Sequence, residues 1–211
     1  KLIDGAINQA QKKVEGANHD SRKHLLEYDN VLSQQREKMY KLRDQVLATT
    51  DCYEITKRFY DLVSDKLVNS VSILEGKELR PDIDALTEKI NNHYLSDSKI
   101  SREEFYGLER YPDFVNRTRA VLMKKTEERK AEWGEGIFRS VEKQVLLRVV
   151  DQNWTKHIDR MDKLRNGIGL RSYAHTNPLQ DYIHEGFEMF QNMMDTIAEQ
   201  TASFLLHAQV K

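Results

Sequence analysis

A chain of 211 residues with 32% charged and 39% hydrophobic residues, nine glycines and three prolines has the composition of a helical protein, long enough for one large domain or two small ones. Its 33 basic and 34 acidic residues are interleaved, so no basic stripe faces a row of phosphates and nucleic acid is not expected as a partner. The lone Cys52 can form no intrachain disulfide, and no apolar run approaches the roughly 18 residues of a membrane span, so the chain is expected to be cytosolic or at most peripheral.

The N-terminal stretch KLIDGAINQAQKKVEG reads as helix, with no signal peptide and no initiating Met, as expected of a piece of a longer protein. From Leu2 to Ala48 there is no proline, and Ile7, Ala10, Val14, Ala17, Leu25, Tyr28, Leu32, Met39, Leu42 and Val46 keep to one helical stripe, mostly by steps of three and four, with a break through Ser21. One continuous helix of about 65–70 Å is expected at ~1.5 Å per residue, a spine reaching past its own core. The alternative is two helices parted near Gly16 to Asn18, although a helical glycine costs only ~1 kcal/mol. Residues 48–134 read as a small helical subdomain with more punctuation. Asp51 opens a helix carrying Ile55, Phe59, Leu62, Val63, Leu67 and Val71, which Glu75-Gly76-Lys77 closes; Pro81 precedes another with Ile83, Leu86, Ile90 and Tyr94. Ser101 and Glu104 match a capping box before Phe105 and Leu108, and a helix after Pro112 carries a charged face with pairs such as Lys124 and Glu128.

Residues 135–211 predict an antiparallel helical hairpin. The ascending arm, about Gly136 to Asn166, carries Ile137, Val141, Val145, Val149, Trp154, Ile158, Met161 and Leu164; the descending arm, from Pro178, carries Leu179, Ile183, Phe187, Phe190, Met194, Ile197, Thr201, Phe204 and Ala208. Gly167 and Gly169 are expected to end the first arm, and Asn177-Pro178, with Gln180 following, to open the second. Leu170 to Thr176 then form a tip where Leu170, Arg171 and Tyr173 have no local core, a placement suited to contact with another molecule.

Chemical motifs are few. Gly167-Ile-Gly169-Leu-Arg-Ser172 lacks the third glycine of a dinucleotide fingerprint and follows a helix instead of a strand; no P-loop pattern occurs, and no pair of histidines stands three or four apart. His157 and Asp159 are two apart on a helix and face different ways, which disfavours a hydrolase. Trp154, Phe187 and Phe190 are expected in the core, whereas Tyr173 is read as functional. On residues alone, a structural helical adaptor or dimerisation module stays open beside a contact role for the tip.

The stretches Val14-Glu-Gly16 and Asp20-Ser-Arg-Lys-His-Leu-Leu-Glu-Tyr-Asp-Asn-Val31 with Gln35-Arg36 resemble the start of the long scaffold helix in the SecA family, ATP-driven motors of bacterial protein export. Val150 to Ile168, the tip Leu170-Arg-Ser-Tyr-Ala174 with Asn177-Pro178, and Glu185-Gly-Phe-Glu-Met-Phe190 are similar to that family's two-helix finger. The family usually has His where this chain has Gly169, Gly or Ala at Ser172, and Gln at His175, which leaves open a housekeeping motor or an accessory paralogue.

The resemblance implies an all-α fold: scaffold helix 1–47, helical wing 48–134, and scaffold continued over 135–211 as a finger with its tip at about 167–177. It implies that this piece is not itself an enzyme and holds no cofactor, while the parent uses ATP and Mg through motor domains N-terminal to it. Implied partners are those motor domains, a SecY-type channel and an unfolded preprotein, with a homodimer left open and the parent bound peripherally to the inner face of the bacterial membrane. Tyr173, Leu170, Arg171 and Ala174 would contact the moving polypeptide; Gly167, Gly169, Asn177 and Pro178 would hinge and cap the finger; Arg22, Glu27, Tyr28, Asp29 and Arg36 would couple the long helix to the motor.

Overall fold

A computed structural model describes residues 2–76, 78–95, 99–171 and 177–208, with side chains at all of these except 2–8, 10, 17, 19–21, 24 and 169–171. Among the described residues the fold is all-α apart from one two-stranded hairpin. The order is α1 (Leu2–Ala48), α2 (Tyr53–Ser70), β1 (Ser72–Glu75), β2 (Glu78–Pro81), α3 (Ile83–Tyr94), a 3-10 turn (Arg102–Phe105), α4 (Tyr111–Trp133), α5 (Glu135–Arg171) and α6 (Pro178–His207). Helix α1 runs through Gly16 to Asn18 without a break, so the single-helix expectation holds. Among the described residues no helix is long and apolar enough to cross a membrane.

The chain divides into two compact units, one of residues 1–41 and 154–191, the other of 42–153 and 192–211. In the second unit α2 and α4 pair through buried side chains. Tyr60 Oη and Thr126 Oγ1 share a hydrogen bond of 2.6 Å, and Phe59 and Val63 of α2 and Phe114 and Leu122 of α4 are buried as well. Thr56 Oγ1 donates to Glu142 Oε1 at 2.5 Å, tying α2 to α5; burial raises the Glu142 pKa, with the Thr56 hydrogen bond opposing. Helix ends are closed from outside. Helix α1 has no basic residue in its last turn, and Lys143 Nζ supplies the donor, reaching Leu47 O at 2.7 Å and Thr49 O at 3.1 Å. Arg129 Nη2 does the same for Leu206 O of α6 at 3.0 Å.

Four expectations need correction. The residues after α2 form a β-hairpin paired Ser72 with Pro81 to Glu75 with Glu78, and Gly76, at φ +67°, sits in its turn instead of merely closing a helix. Ser101 makes no side-chain cap; a 3-10 turn follows it, and Glu104 lies 3.7 Å from Arg117, so its carboxylate is drawn to a cation and not back to the Ser101 amide. On α4 the ion pair at Glu128 is with Lys125, at 2.9 Å. The buried stripe of α5 in this unit is Phe138, Glu142, Leu146, Val149, Val150 and Asn153, one residue out of phase with the expected Ile137, Val141 and Val145. Glu142 can occupy a core position because Thr56 satisfies it.

The phase shift has a direct test. Leu146→Ala, at a fully buried site, should cost about 2–5 kcal/mol, whereas Ile137→Ala, half exposed, should stay within about 0.5 kcal/mol. Urea unfolding of both variants measures the difference, and comparable losses would restore the original stripe.

Candidate functional site

In the first unit, three stretches of helix meet. Tyr28, Val31 and Leu32 of α1, spaced by three and four, pack with Met189 of α6 against the buried Met161, Leu164 and Ile168 of α5 and Tyr182 of α6. The pairing of Arg165 with Asp29 and of His157 with Gln35 makes α5 antiparallel to α1. Tyr182 beside Tyr28 and Phe190 beneath Lys38 make α6 parallel to it. The two arms of the hairpin therefore lie side by side and antiparallel in this unit. Tyr28 meets Tyr182 edge-on, ring centroids 4.8 Å apart, and burial raises both phenolic pKa values against the opposing charge of Arg165. Arg165 Nη1 donates to Asp29 Oδ1 at 2.8 Å, an exposed pair worth about 0–1 kcal/mol.

Next to this apolar seat lies a buried polar one. Gln35 Nε2 donates to the Gly186 carbonyl at 3.0 Å, and Gln35 Oε1 lies 2.7 Å from His157 Nε2. A carbonyl can only accept, so the Gln35 amide is oriented with its nitrogen toward Gly186, and His157 must carry its proton on Nε2. The imidazole is packed between Trp154, at 5.6 Å, and Phe190, at 5.8 Å. Burial, helped by nearby Arg160, lowers its pKa to about 4, so it is neutral at physiological pH. The site therefore offers shape, an apolar seat and fixed hydrogen bonds. Among the described residues, no three or more His, Cys, Asp or Glu come together as a metal site.

The sequence-predicted site residues separate into groups. Tyr28 and Asp29 contact the hairpin, Glu27 is half-buried, and Arg22 and Arg36 are exposed on other faces of α1. Asn177 caps α6 as expected: its Oδ1 accepts from Gln180 N at 3.2 Å, and Pro178 is the first helical residue. Gly167 and Gly169 do not end α5, which runs on to Arg171; buried Ile168 continues the apolar stripe onto Tyr182, which outweighs the glycines' modest helix penalty. Tyr173 and Ala174 lie outside the described residues, as do the side chains of Leu170 and Arg171. Trp154 and Phe190 are buried, but Phe187 is 56% exposed and leaves the core to Gly186 and Phe190.

Sequence reasoning missed the role of Gln35 and His157. The available signal was a histidine three residues after Trp154 and four before Met161, a core-facing position given instead to Ile158.

A family model described as SecA Wing and Scaffold domain matches residues 1–209 of the chain.

The buried imidazole makes the first unit sensitive to acid. Between about pH 6.5 and about 4 the unfolded chain binds a proton that folded His157 refuses, so stability falls as pH falls through that window. His157→Gln keeps a donor for Gln35 without the titration. Urea unfolding across this range should show wild type losing stability faster than the variant on acidification, and parallel pH profiles would contradict the assignment.

Proposed function

This chain belongs to the SecA wing and scaffold family, and on that premise we propose that it couples an ATP-driven motor to a finger touching the translocating polypeptide at the protein-conducting channel. As a component of a SecA-type translocase it acts on unfolded chains of many sequences, for which a contact must be weak and tolerant. The tip, Leu170-Arg-Ser-Tyr-Ala174, supplies such chemistry: a tyrosine offers an apolar face and one hydroxyl at low rotamer cost. Arg22, Glu27 and Arg36 face the motor domains of the parent, which would bind ATP and Mg. Tyr28 and Asp29 face the finger. The parent would attach peripherally to the cytoplasmic face of the bacterial membrane at a SecY-type channel.

One observation carries this reading. A single stretch of α1, Tyr28 to Lys38, packs against both arms of the α5–α6 hairpin, so a displacement of that stretch has a packed route into the finger. Tyr173→Ala in the intact translocase should cut polypeptide export to a small fraction of wild type while nucleotide binding is unchanged. Export assays into membrane vesicles, paired with nucleotide-binding titrations, measure both; export at the wild-type level would count against the role of the tip.

A further inference from the structure

Among the described residues of α1 three side chains are buried, Gln35, Met39 and Val46, and Gln35 is the polar one. Its two hydrogen bonds go to different arms of the hairpin. The amide oxygen accepts from His157 Nε2 of α5, and the amide nitrogen donates to the backbone carbonyl of Gly186 in α6. Apolar packing is non-directional, and flexible side chains such as Met161 can give way, so it fixes an axial position less sharply than a hydrogen bond does. Hydrogen bonds to a fixed carbonyl and a fixed ring nitrogen do not survive a slide along the seam.

The third feature is the glycine itself. A Cβ at Gly186 would stand 2.9 Å from Met161 Cε and 3.7 Å from Val31 Cγ1, so α6 approaches α1 and α5 closely where it lacks a side chain. One turn earlier and one turn later stand Tyr182 and Phe190, both buried bulky rings. Position 186 is thus a notch that exposes one backbone carbonyl to Gln35, and the neighbouring turns offer no equivalent.

We propose that Gln35 is a positioning residue that sets the axial register of the α5–α6 hairpin on α1, by bridging His157 of one arm and the Gly186 carbonyl of the other. The register stands on the geometry of the first unit alone; its consequence for transport rests on the finger reading above. With the register locked, a shift of α1 reaches the tip without slippage between the helices.

Nitrogen-15 spectra of the imidazoles in the unmodified chain at neutral pH test the bridge. His157 should be the Nε2–H tautomer with a slowly exchanging ring proton, and an Nδ1–H tautomer would overturn the proposal. Register is read by spin labels at Lys23→Cys and Glu188→Cys, both exposed in the first unit. Cys52 does not compete for label, being buried with its thiol pushed up to about 11. The pair should give one narrow distance distribution. Adding Gln35→Leu with His157→Phe replaces both polar partners by apolar groups, and a second population should appear, its distance shifted by up to about 5.4 Å, the rise of one helical turn. A single unchanged peak would show that apolar packing alone sets the register and would overturn the proposal. Should the double variant not fold, Gln35→Met takes its place in the same measurement with the same two outcomes. In the intact translocase the double variant should move less polypeptide per ATP hydrolysed. Released register with normal transport would overturn the positioning role while leaving the finger reading to the Tyr173→Ala assay.

Discussion

A long, strongly charged helix can hold a partner only where its apolar residues recur on one side, and in the first unit that condition is met by the stretch of α1 from Tyr28 to Met39. Both arms of the hairpin are seated there. Val14, Leu25 and Leu26, nearer the N-terminus, are exposed. The seat's specificity comes from features that permit one arrangement: the edge-on tyrosine pair, the Arg165–Asp29 bond and the buried amide of Gln35. Uncharged polar groups fixed by hydrogen bonds suit this task, because an unmade bond in a buried place is costly while a made one adds only about 0.5–1.5 kcal/mol.

The same logic governs the second unit. Glu142, Thr56, Tyr60 and Thr126 are buried polar residues on three different helices, joined in two hydrogen-bonded pairs within an otherwise apolar interior. Lys143 and Arg129 close the ends of α1 and α6 by reaching across from other helices. At these two ends the last carbonyls are satisfied by tertiary partners.

This explains what was legible in the sequence. The all-α class, the unbroken α1, the antiparallel hairpin and the Asn177 cap follow from periodicity and local chemistry, which neighbouring residues fully specify. The phase of the buried stripes did not, because Glu142 and His157 are polar residues in core positions, and their partners Thr56 and Gln35 lie 86 and 122 residues away. Choosing the apolar neighbours Val141 and Ile158 was the natural reading, and it put the stripe one residue off at those turns, while Val149, Trp154, Met161 and Leu164 are buried as expected. On α6 the same slip favoured Ile183, Phe187 and Phe204, all exposed, over Tyr182, Gly186 and Leu205. The β-hairpin was missed because its strands are four residues each, too short to show alternation. Of the candidate site, Tyr28 was legible as part of the α1 stripe; the family resemblance gave Tyr28 and Asp29 to motor coupling, and their contacts with the hairpin, like Gln35 as a bridge, required coordinates.

If the hairpin and α1 are one mechanical body, they must also be one cooperative body. Native-state hydrogen exchange across a low-denaturant series tests this most directly. The amides of residues 28–39, 157–168 and 182–190 should merge into a single opening isotherm with one free energy and one denaturant dependence. Residues 28–39 exchanging by a separate, cheaper opening while both arms of the hairpin stay protected would contradict the account.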